Sequence, residues 1–451
     1  MIPDVLVKHA FFPFFERMSG YDTTKHLKEL NKSQWLPPDE IERIQLKKLG
    51  QLLKHSYDNV PYYHKIFKKL DLRPEDIRTH DDLLKLPVLT KDDIRNNYSD
   101  MIAPGTEAAH FKTATGGSTG KPLQLIRDRR HFGFVKGINW RFRQWAGWDF
   151  HTRWVNLTGE SFTEEKKNSL APIKKALIGK KLPLSTFDMS EEAMEGFVRR
   201  ITEHDPKVMR GFVSSLVVLA RFVERNNIET IRPDSVITIS ETLFDHQRKI
   251  IEDAFDCKVF NDYGCREGWV MAFDCPTHSC MHVASEQVVP EFVREGSHVT
   301  NEELGQILVT DLHNYVMPLI RYSSGDAGIP TNERCTCGRG LGSVRSIEGR
   351  IHDFILTEKE DLLPGEFFPH LFKDVTGIEE FQIVQETKGK LLLRIVKTTS
   401  YSESDLEFIL ENFRKYCGDL DVEVSFQKEI EPIGTHGKRR VTISKIQNSF
   451  L

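Results

Sequence analysis

One stretch constrains this chain more than any other: FKTATGGSTGKPLQLIRD, from Phe111 to Asp128. Its centre, Thr115-Gly116-Gly117-Ser118-Thr119-Gly120-Lys121-Pro122, packs three glycines, three hydroxyls and a lysine into one short run. Glycine tolerates positive φ, so successive backbone N–H groups can converge on an anion there. The hydroxyls and Lys121 add donors for phosphate oxygens. The spacing is not that of a Walker A loop. Gly116 stands too close to Gly120-Lys121, and Pro122 occupies the place of the Mg-binding hydroxyl. Pro122 blocks an immediate helix, while LQLIR alternates as a strand. The stretch reads as a phosphate loop in a hairpin, with a plain Gly/Ser-rich surface turn as the competing reading.

At 451 residues the chain exceeds one ordinary hydrophobic core and should divide into at least two domains. A hydrophobic content of 39% with 28% charged residues fits a soluble globular protein, and a net charge of −4 argues against a general nucleic-acid binder. No run approaches the ~18 apolar residues that cross a bilayer. The opening MIPDVLVKHAFFPFFERM lacks a basic leader and a small-residue cleavage site. It reads as an amphipathic, mature N-terminus, and the expected location is cytoplasmic. Of seven cysteines, Cys275 and Cys280 form one pair and Cys335 and Cys337 another, while Cys257, Cys265 and Cys417 stand apart. Such spacing in a large chain suggests metal ligation before disulfides.

Taken in order, residues 1–100 read as helices. A Pro-Pro-Asp start precedes apolar residues at helical spacing, Val60-Pro61 ends that helix, and Thr90 is an N-cap for another near Lys91. Ser214 and Ser215 sit where a later helix begins and read first as N-caps. Ser240-Glu241-Thr242 closes an apolar strand, where open α/β sheets place ligand-binding groups. A second apolar strand ends at Asn261-Asp262-Tyr263-Gly264, with Glu267 three residues on. A carboxylate there suits Mg²⁺, Asn261 and Asp262 can reach an adenine amino group or a substrate, and Tyr263 can stack on a purine. A turn with a surface glutamate competes. Cys275, His278, Cys280 and His282 face Cys335 and Cys337 some fifty residues later, the materials of a closed tetrahedral Zn²⁺ site. Asp326, closing Arg321-Tyr322-Ser323-Ser324-Gly325-Asp326, can accept from both hydroxyls of a ribose. The last hundred residues read as an α+β lobe with one helix, and they carry Gly434-Thr435-His436-Gly437-Lys438. A glycine-flanked lysine can enter a cleft and meet developing negative charge.

TGGSTGKP, Tyr263-Gly264-x-x-Glu267, Arg321-Tyr322-x-x-Gly325-Asp326, Gly349-Arg350-x-x-Asp353 and Gly437-Lys438 follow one another along the chain. Together they resemble the adenylate-forming (AMP-binding) superfamily, in wording its phenylacetate–CoA ligase and CapK-like branch. The resemblance implies an α/β fold with a large N-terminal multi-sheet adenylate-forming domain, residues 1–352, and a small mobile α+β C-terminal domain, residues 353–451. It also implies ATP- and Mg²⁺-dependent conversion of a carboxylic acid to acyl-AMP and pyrophosphate, then acyl transfer to coenzyme A.

Residue by residue, the resemblance assigns Thr115, Ser118, Thr119, Gly120 and Lys121 to phosphates. It places Glu241, Asn261, Asp262, Tyr263 and Arg350 at the nucleotide and Asp326 on the ribose. Ser214, Tyr263 and Gly264 fall on the acyl side, Glu267 on Mg²⁺, and Asp353 at the hinge. Lys438 is catalytic together with Glu267 and Thr115, and Lys445 is the alternative lysine. The implied structural zinc set is Cys275, His282, Cys335 and Cys337, with Cys280 or His278 as substitutes. EKEDLLPGEFFPHLFKD departs from the glycine-rich CoA-facing loop of ordinary acyl-CoA ligases, which keeps an amine acceptor open. A zinc-stabilised scaffold on an inactive ligase fold and a membrane-surface assembly factor are the readings from other classes. The expected partners are a small carboxylic acid and its acyl acceptor, with no nucleic acid, and the chain is compatible with a homodimer.

Overall fold

The charged N-terminal region folds as helices because its apolar residues recur at helical spacing and its prolines sit at helix starts. A computed structural model describes residues 21–105, 110–114, 123–150, 152–158, 181–186, 189, 191–265, 269–299, 302–350, 354–356, 362–364, 367–372, 375, 377–430 and 441–446. Helix α1 spans Thr23–Ser33, α2 Pro38–Asn59 and α3 Pro61–Lys69. Pro38 opens α2 with Asp39 and Glu40 in its first turn, where a carboxylate complements the helix dipole. Val60-Pro61 ends α2 as expected, and Pro61 at once begins α3. Thr90 caps α4 (Lys91–Asn96): its Oγ1 accepts from the Asp93 N–H at 3.1 Å, and the Asp93 carboxylate accepts from the Thr90 N–H at 2.9 Å.

Strands β1 (His110–Ala114) and β2 (Gln124–Asp128) pair antiparallel, with Ala114 opposite Gln124. Residues 115–122, which join them, lie outside the described residues. Asp128 then caps α5 (Arg129–Trp145), its Oδ1 accepting from the His131 N–H at 2.6 Å.

Strands β3 (Trp154–Thr158), β4 (Lys181–Ser185), β5 (Val208–Phe212), β6 (Ser235–Ile239) and β7 (Lys258–Cys265) form a parallel array in the order β4-β3-β5-β6-β7. Next follow β8 (Trp269–Asp274), β9 (Met281–Val283), β10 (Val288–Arg294), β11 (Ser297–His298), β12 (Gly305–Asp311), β13 (Tyr322–Thr331) and β14 (Ser343–Arg350). They extend the sheet from β7 in the order β8-β9-β14-β13-β12-β10-β11, antiparallel throughout. The parallel strands are apolar on both faces because helices cover both. Val155, Met209, Val236 and Val259 pack with helices α6 (Glu191–His204), α7 (Val213–Arg225) and α8 (Asp245–Phe255). Val208, Ile237 and Phe260, one residue out of phase, join the α5 side with Phe134 and Ile138.

Strand β7, expected to end at Asn261-Asp262-Tyr263-Gly264, reaches Cys265 and changes partner on the way. It runs parallel to β6 as far as Asp262, opposite Ile239, and continues to Cys265 against β8. Once β6 has ended, β8 folds back and supplies the backbone partners.

The C-terminal part has its own sheet and core. After the hairpin of β15 (Phe354–Leu356) and β16 (Leu362–Pro364) and helix α9 (Phe367–Phe372), four further strands follow with α10 (Glu403–Cys417). These are β17 (Ile378–Thr387), β18 (Lys390–Lys397), β19 (Asp421–Gln427) and β20 (Thr442–Ser444), in the order β19-β18-β17-β20. Ile355, Phe368, Ile383, Leu393, Ile409 and Phe413 are buried together there. Among the described residues, no helix is long and apolar enough to cross a membrane.

Two buried polar pairs fasten α5 to the antiparallel half. Arg141 donates to both Glu286 oxygens at 2.6 and 3.0 Å, and Ser33 adds a third donor at 2.6 Å. Burial works to raise the Glu286 pKa, but Arg141 and Ser33 overrule it and hold the carboxyl below its usual range. His131 Nε2 meets Asp311 Oδ2 at 2.7 Å, both side chains fully enclosed. Replacing Arg141 by Met strands the Glu286 charge and should cost about 3–5 kcal/mol in chemical denaturation. The double variant Arg141→Met/Glu286→Leu should recover most of that loss; a single variant as stable as the parent would contradict this account.

Candidate functional site

Four loops and strand ends converge where the parallel strands finish. At the end of β6, Ser240 adopts φ 67°, and Glu241 turns its carboxylate toward α7. Glu241 accepts from the Ser214 N–H at 2.7 Å and from Ser214 Oγ at 3.1 Å. The N-cap expectation for Ser214 is thereby corrected. The helix begins at Val213, Phe212 makes no side-chain cap, and Ser214 is a donor to a carboxylate from the next strand. A negative group at that terminus is favoured by the helix dipole.

Gly349, with φ 91°, runs against the same turn. A Cβ at that position would lie 2.8 Å from Thr242 Oγ1, so only glycine permits the approach. In the β13–β14 pairing, Asp326 stands opposite Arg350. Tyr263 donates its hydroxyl to Asp326 Oδ2 at 2.7 Å. Burial, and next the Asp326 carboxylate, push the Tyr263 phenol well above its ordinary pKa, which keeps it a donor. Glu241, Tyr263, Asp326 and the backbone of Gly349-Arg350 therefore line one region, at the ends of β6, β7 and β14 and the middle of β13.

The arginine of the Arg321–Asp326 run is structural. Arg321 is buried at φ 54°, donates from Nε to both Glu291 oxygens at 3.0 and 3.1 Å, and donates from Nη1 to the Leu86 carbonyl. Asn261 and Asp262 occupy opposite faces of β7. Asn261 Oδ1 accepts from Thr238 Oγ1 at 3.4 Å, and its backbone N–H donates to Asp274 at 2.8 Å. Asp262 turns to the α5 side. Burial raises its pKa against the pull of Arg210 and Arg143. Those two arginines escaped sequence reasoning, although one signal was present: Arg210 interrupts the apolar strand Val208–Phe212. Lys445 is ion-paired with Glu386 at 2.7 Å on the exposed surface of the C-terminal sheet. Thr115, Ser118, Thr119, Gly120, Lys121, Glu267, Asp353 and Lys438 lie outside the described residues, and Gly264 is exposed within β7.

Farther along the sheet, the β8–β9 hairpin and the β13–β14 connection bring Cys275, His282, Cys335 and Cys337 together. Their ligand atoms all lie within 4.8 Å of one another. Cys275 Sγ is 3.3 Å from Cys335 Sγ, and His282 Nε2 is 3.1 Å from Cys337 Sγ. Ligands around a tetrahedral zinc stand roughly 3.3–3.8 Å apart, so three sulfurs and one imidazole at this spacing fit a closed four-coordinate ion. Burial opposes ionisation of Cys335, but hydrogen bonds led by Ser279 and the Cys337 N–H bring its thiol down to about 5. The two substitutes have other partners. Cys280 donates to Ser343 Oγ at 3.6 Å. His278 packs at 4.7 Å on Phe260 beside Arg248, where burial and that guanidinium lower its pKa to about 4.

This architecture is that of the adenylate-forming ligases. The chain superposes with a TM-score of 0.73 on 2-hydroxyisobutyryl-CoA ligase in the postadenylation state in complex with R3-HIB-AMP, covering 92% of each chain at 18% identity. In sequence, the chain is similar to Protein CapK of Staphylococcus aureus, 24% identical over 437 residues that cover 95% of this chain and 92% of that protein. Phenylacetate-coenzyme A ligase of Thermus thermophilus is also 24% identical, over 79% of this chain and 80% of that protein. Residues 355–445 match the family model of the CapK C-terminal domain.

Proposed function

We propose that this protein is an AMP-forming carboxylate ligase that activates a small carboxylic acid with ATP and passes the acyl group to coenzyme A. The observation that carries the reading is the meeting of Tyr263 with Asp326 beside Gly349-Arg350 and Ser240–Thr242. These residues come from four separate motifs, and a purine, a ribose and a phosphate require three adjacent but different surfaces. In this reading Asp326 accepts from the ribose hydroxyls, Tyr263 is held by Asp326 with its ring toward the base, and Arg350 approaches the nucleotide. Thr115, Ser118, Thr119, Gly120 and Lys121 take the phosphates. Glu267 holds the Mg²⁺ that screens phosphate charge. Ser214 and Gly264 border the acid.

The acid's carboxylate attacks the α-phosphate; a bond to phosphorus forms, pyrophosphate leaves, and an acyl-AMP remains. Little covalent chemistry falls to the protein, so positioning and charge stabilisation dominate. Lys438 supplies the positive charge, and the C-terminal domain, residues 353–451, turns about Asp353 for the second step. The relatives named above include coenzyme A ligases, which favours a thiol acceptor. The unusual segment after Asp353 favours an amine as the second reading. We assign Zn²⁺ to Cys275, His282, Cys335 and Cys337 in a structural role, and place the protein in the cytoplasm.

Lys438→Ala should slow acyl-AMP formation by about 10²–10³-fold while ATP binding stays nearly unchanged. Single-turnover adenylation and nucleotide titration measure the two separately, and formation at the parental rate would remove Lys438 from the mechanism. Elemental analysis should find one zinc per chain, lost together with thermal stability in Cys335→Ser. A metal-free protein of full stability would refute the zinc assignment.

A further inference from the structure

On the α5 side of the parallel strands lies a cluster of charged and polar side chains. Asp262 ends the parallel part of β7, and Arg210 lies on β5, where its Nη1 donates to Asn156 Oδ1 on β3 at 3.4 Å. Asn156 in turn donates to Thr158 Oγ1 at 2.7 Å. By strand alternation Asn156, Thr158, Arg210 and Asp262 share the sheet face that α5 covers. Arg143, from the last turn of α5, faces them. Its guanidinium stands 4.5 Å from the Trp148 ring centroid and 5.4 Å from that of Trp140, and its Nε is buried without a hydrogen-bond partner.

Arginine keeps its charge in proteins, so an enclosed guanidinium demands an anion. Asp262 acts on Arg143, but the repulsion from Arg210 is the stronger of the two influences, and burial lowers the Arg143 pKa to about 10. Indole faces stabilise the cation without satisfying its directed N–H donors. The position matters as much as the charge. In open α/β sheets, ligands bind beyond the carboxyl ends of the parallel strands. Asp262 immediately precedes Tyr263 and Gly264, and Arg210 stands four residues before Ser214. The cluster thus lies against the acyl side of the proposed site, where an aliphatic or aryl monoacid would bury its apolar end on charge.

We propose that Arg143 is a specificity-determining residue that receives a second anionic group on the substrate, making the preferred acid a dicarboxylate or an equally dianionic acid. This rests on the carboxylate-ligase reading above. One carboxylate goes to the α-phosphate, and the far carboxylate meets Arg143, with Arg210 and Asn156 around it. The second anion supplies the directed acceptors that the indoles lack.

The test compares straight-chain diacids from succinate to adipate with monoacids of equal length, on the full-length protein. Two readouts are taken: ATP–pyrophosphate exchange and the acid-induced shift in melting temperature. The parent should favour a diacid over its monoacid by roughly a hundredfold or more in kcat/KM, because a site built for a polar group rejects the analogue lacking it. Arg143→Met should erase that preference, and Arg143→Lys should retain part of it. Without any acid, Arg143→Met should melt close to the parent, since the lost indole contacts and attraction to Asp262 are offset by removing the repulsion from Arg210 and a buried Nε–H that has no hydrogen-bond partner. A parent that prefers monoacids, or a preference unchanged in Arg143→Met, would overturn the proposal. Melting separates this inference from the reading it rests on. A diacid-induced shift present in the parent and lost in Arg143→Met, with no exchange by any acid, supports the anion site and rejects the ligase. Exchange with monoacids alone does the reverse.

Discussion

The docking of helix α5 across the sheet is the constraint on which the rest of this structure depends. Arg141–Glu286 and His131–Asp311 are buried, geometrically specific and expensive to misplace, so they fix the helix both along its axis and about it. Its N-terminus is fixed to β2 by the Asp128 cap, and β2 is tied to the sheet by Asn314, whose amide donates to the Ile126 carbonyl at 3.0 Å. The two strands flanking residues 115–122 are therefore set by contacts far from that loop. The same helix carries Arg143 toward β5 and β7. A charge pair that contributes modest net stability can thus set both one flank of residues 115–122 and the position of Arg143.

A parallel role falls to the antiparallel half of the sheet. Arg321 clasps Glu291 and the Leu86 carbonyl, which joins β13 to β10 and to the segment after α3. His298 bridges Glu291 and Asp81 at 3.1 and 3.0 Å, and that pairing raises its pKa. Beyond them, Cys275 and His282 face Cys335 and Cys337 across the β8–β9 hairpin and the β13–β14 connection. These contacts hold β13 and β14 in register, and that register sets Asp326 opposite Arg350 and within reach of Tyr263. Residues remote from Tyr263 and Asp326 thus set the meeting of those two side chains.

Much of this was legible in the sequence, for reasons that differ by element. Periodicity and capping residues act locally, so α2, the Thr90 cap and the C-terminal series β17, β18, α10 and β19 could be read directly. Short motifs specify turns, so the hairpin around residues 115–122 was readable from Pro122 and the alternation of LQLIR. Tertiary pairings were not. The capping of α7 by Glu241 rather than by Ser214 depends on the turn after the next strand, β6. The change of partner along β7, from β6 to β8 at Asp262, depends on β8 folding back. Arg143 looked like one charge among many on a helix, and only the packing of α5 on the sheet shows that it faces inward. Arg321 carried a motif position yet serves as a clasp, because a sequence pattern does not distinguish a ligand from its support.

The most direct test of the central claim is ATP–pyrophosphate exchange on the purified full-length protein with Mg²⁺, across aryl, fatty, hydroxy and dicarboxylic acids. Acyl adenylation is reversible, so a carboxylate ligase must return labelled pyrophosphate to ATP only when its acid is present. Acid-dependent exchange with at least one class is the predicted result. Exchange that is absent with every acid, in protein that still binds ATP, would contradict the account and leave a ligase fold without ligase chemistry.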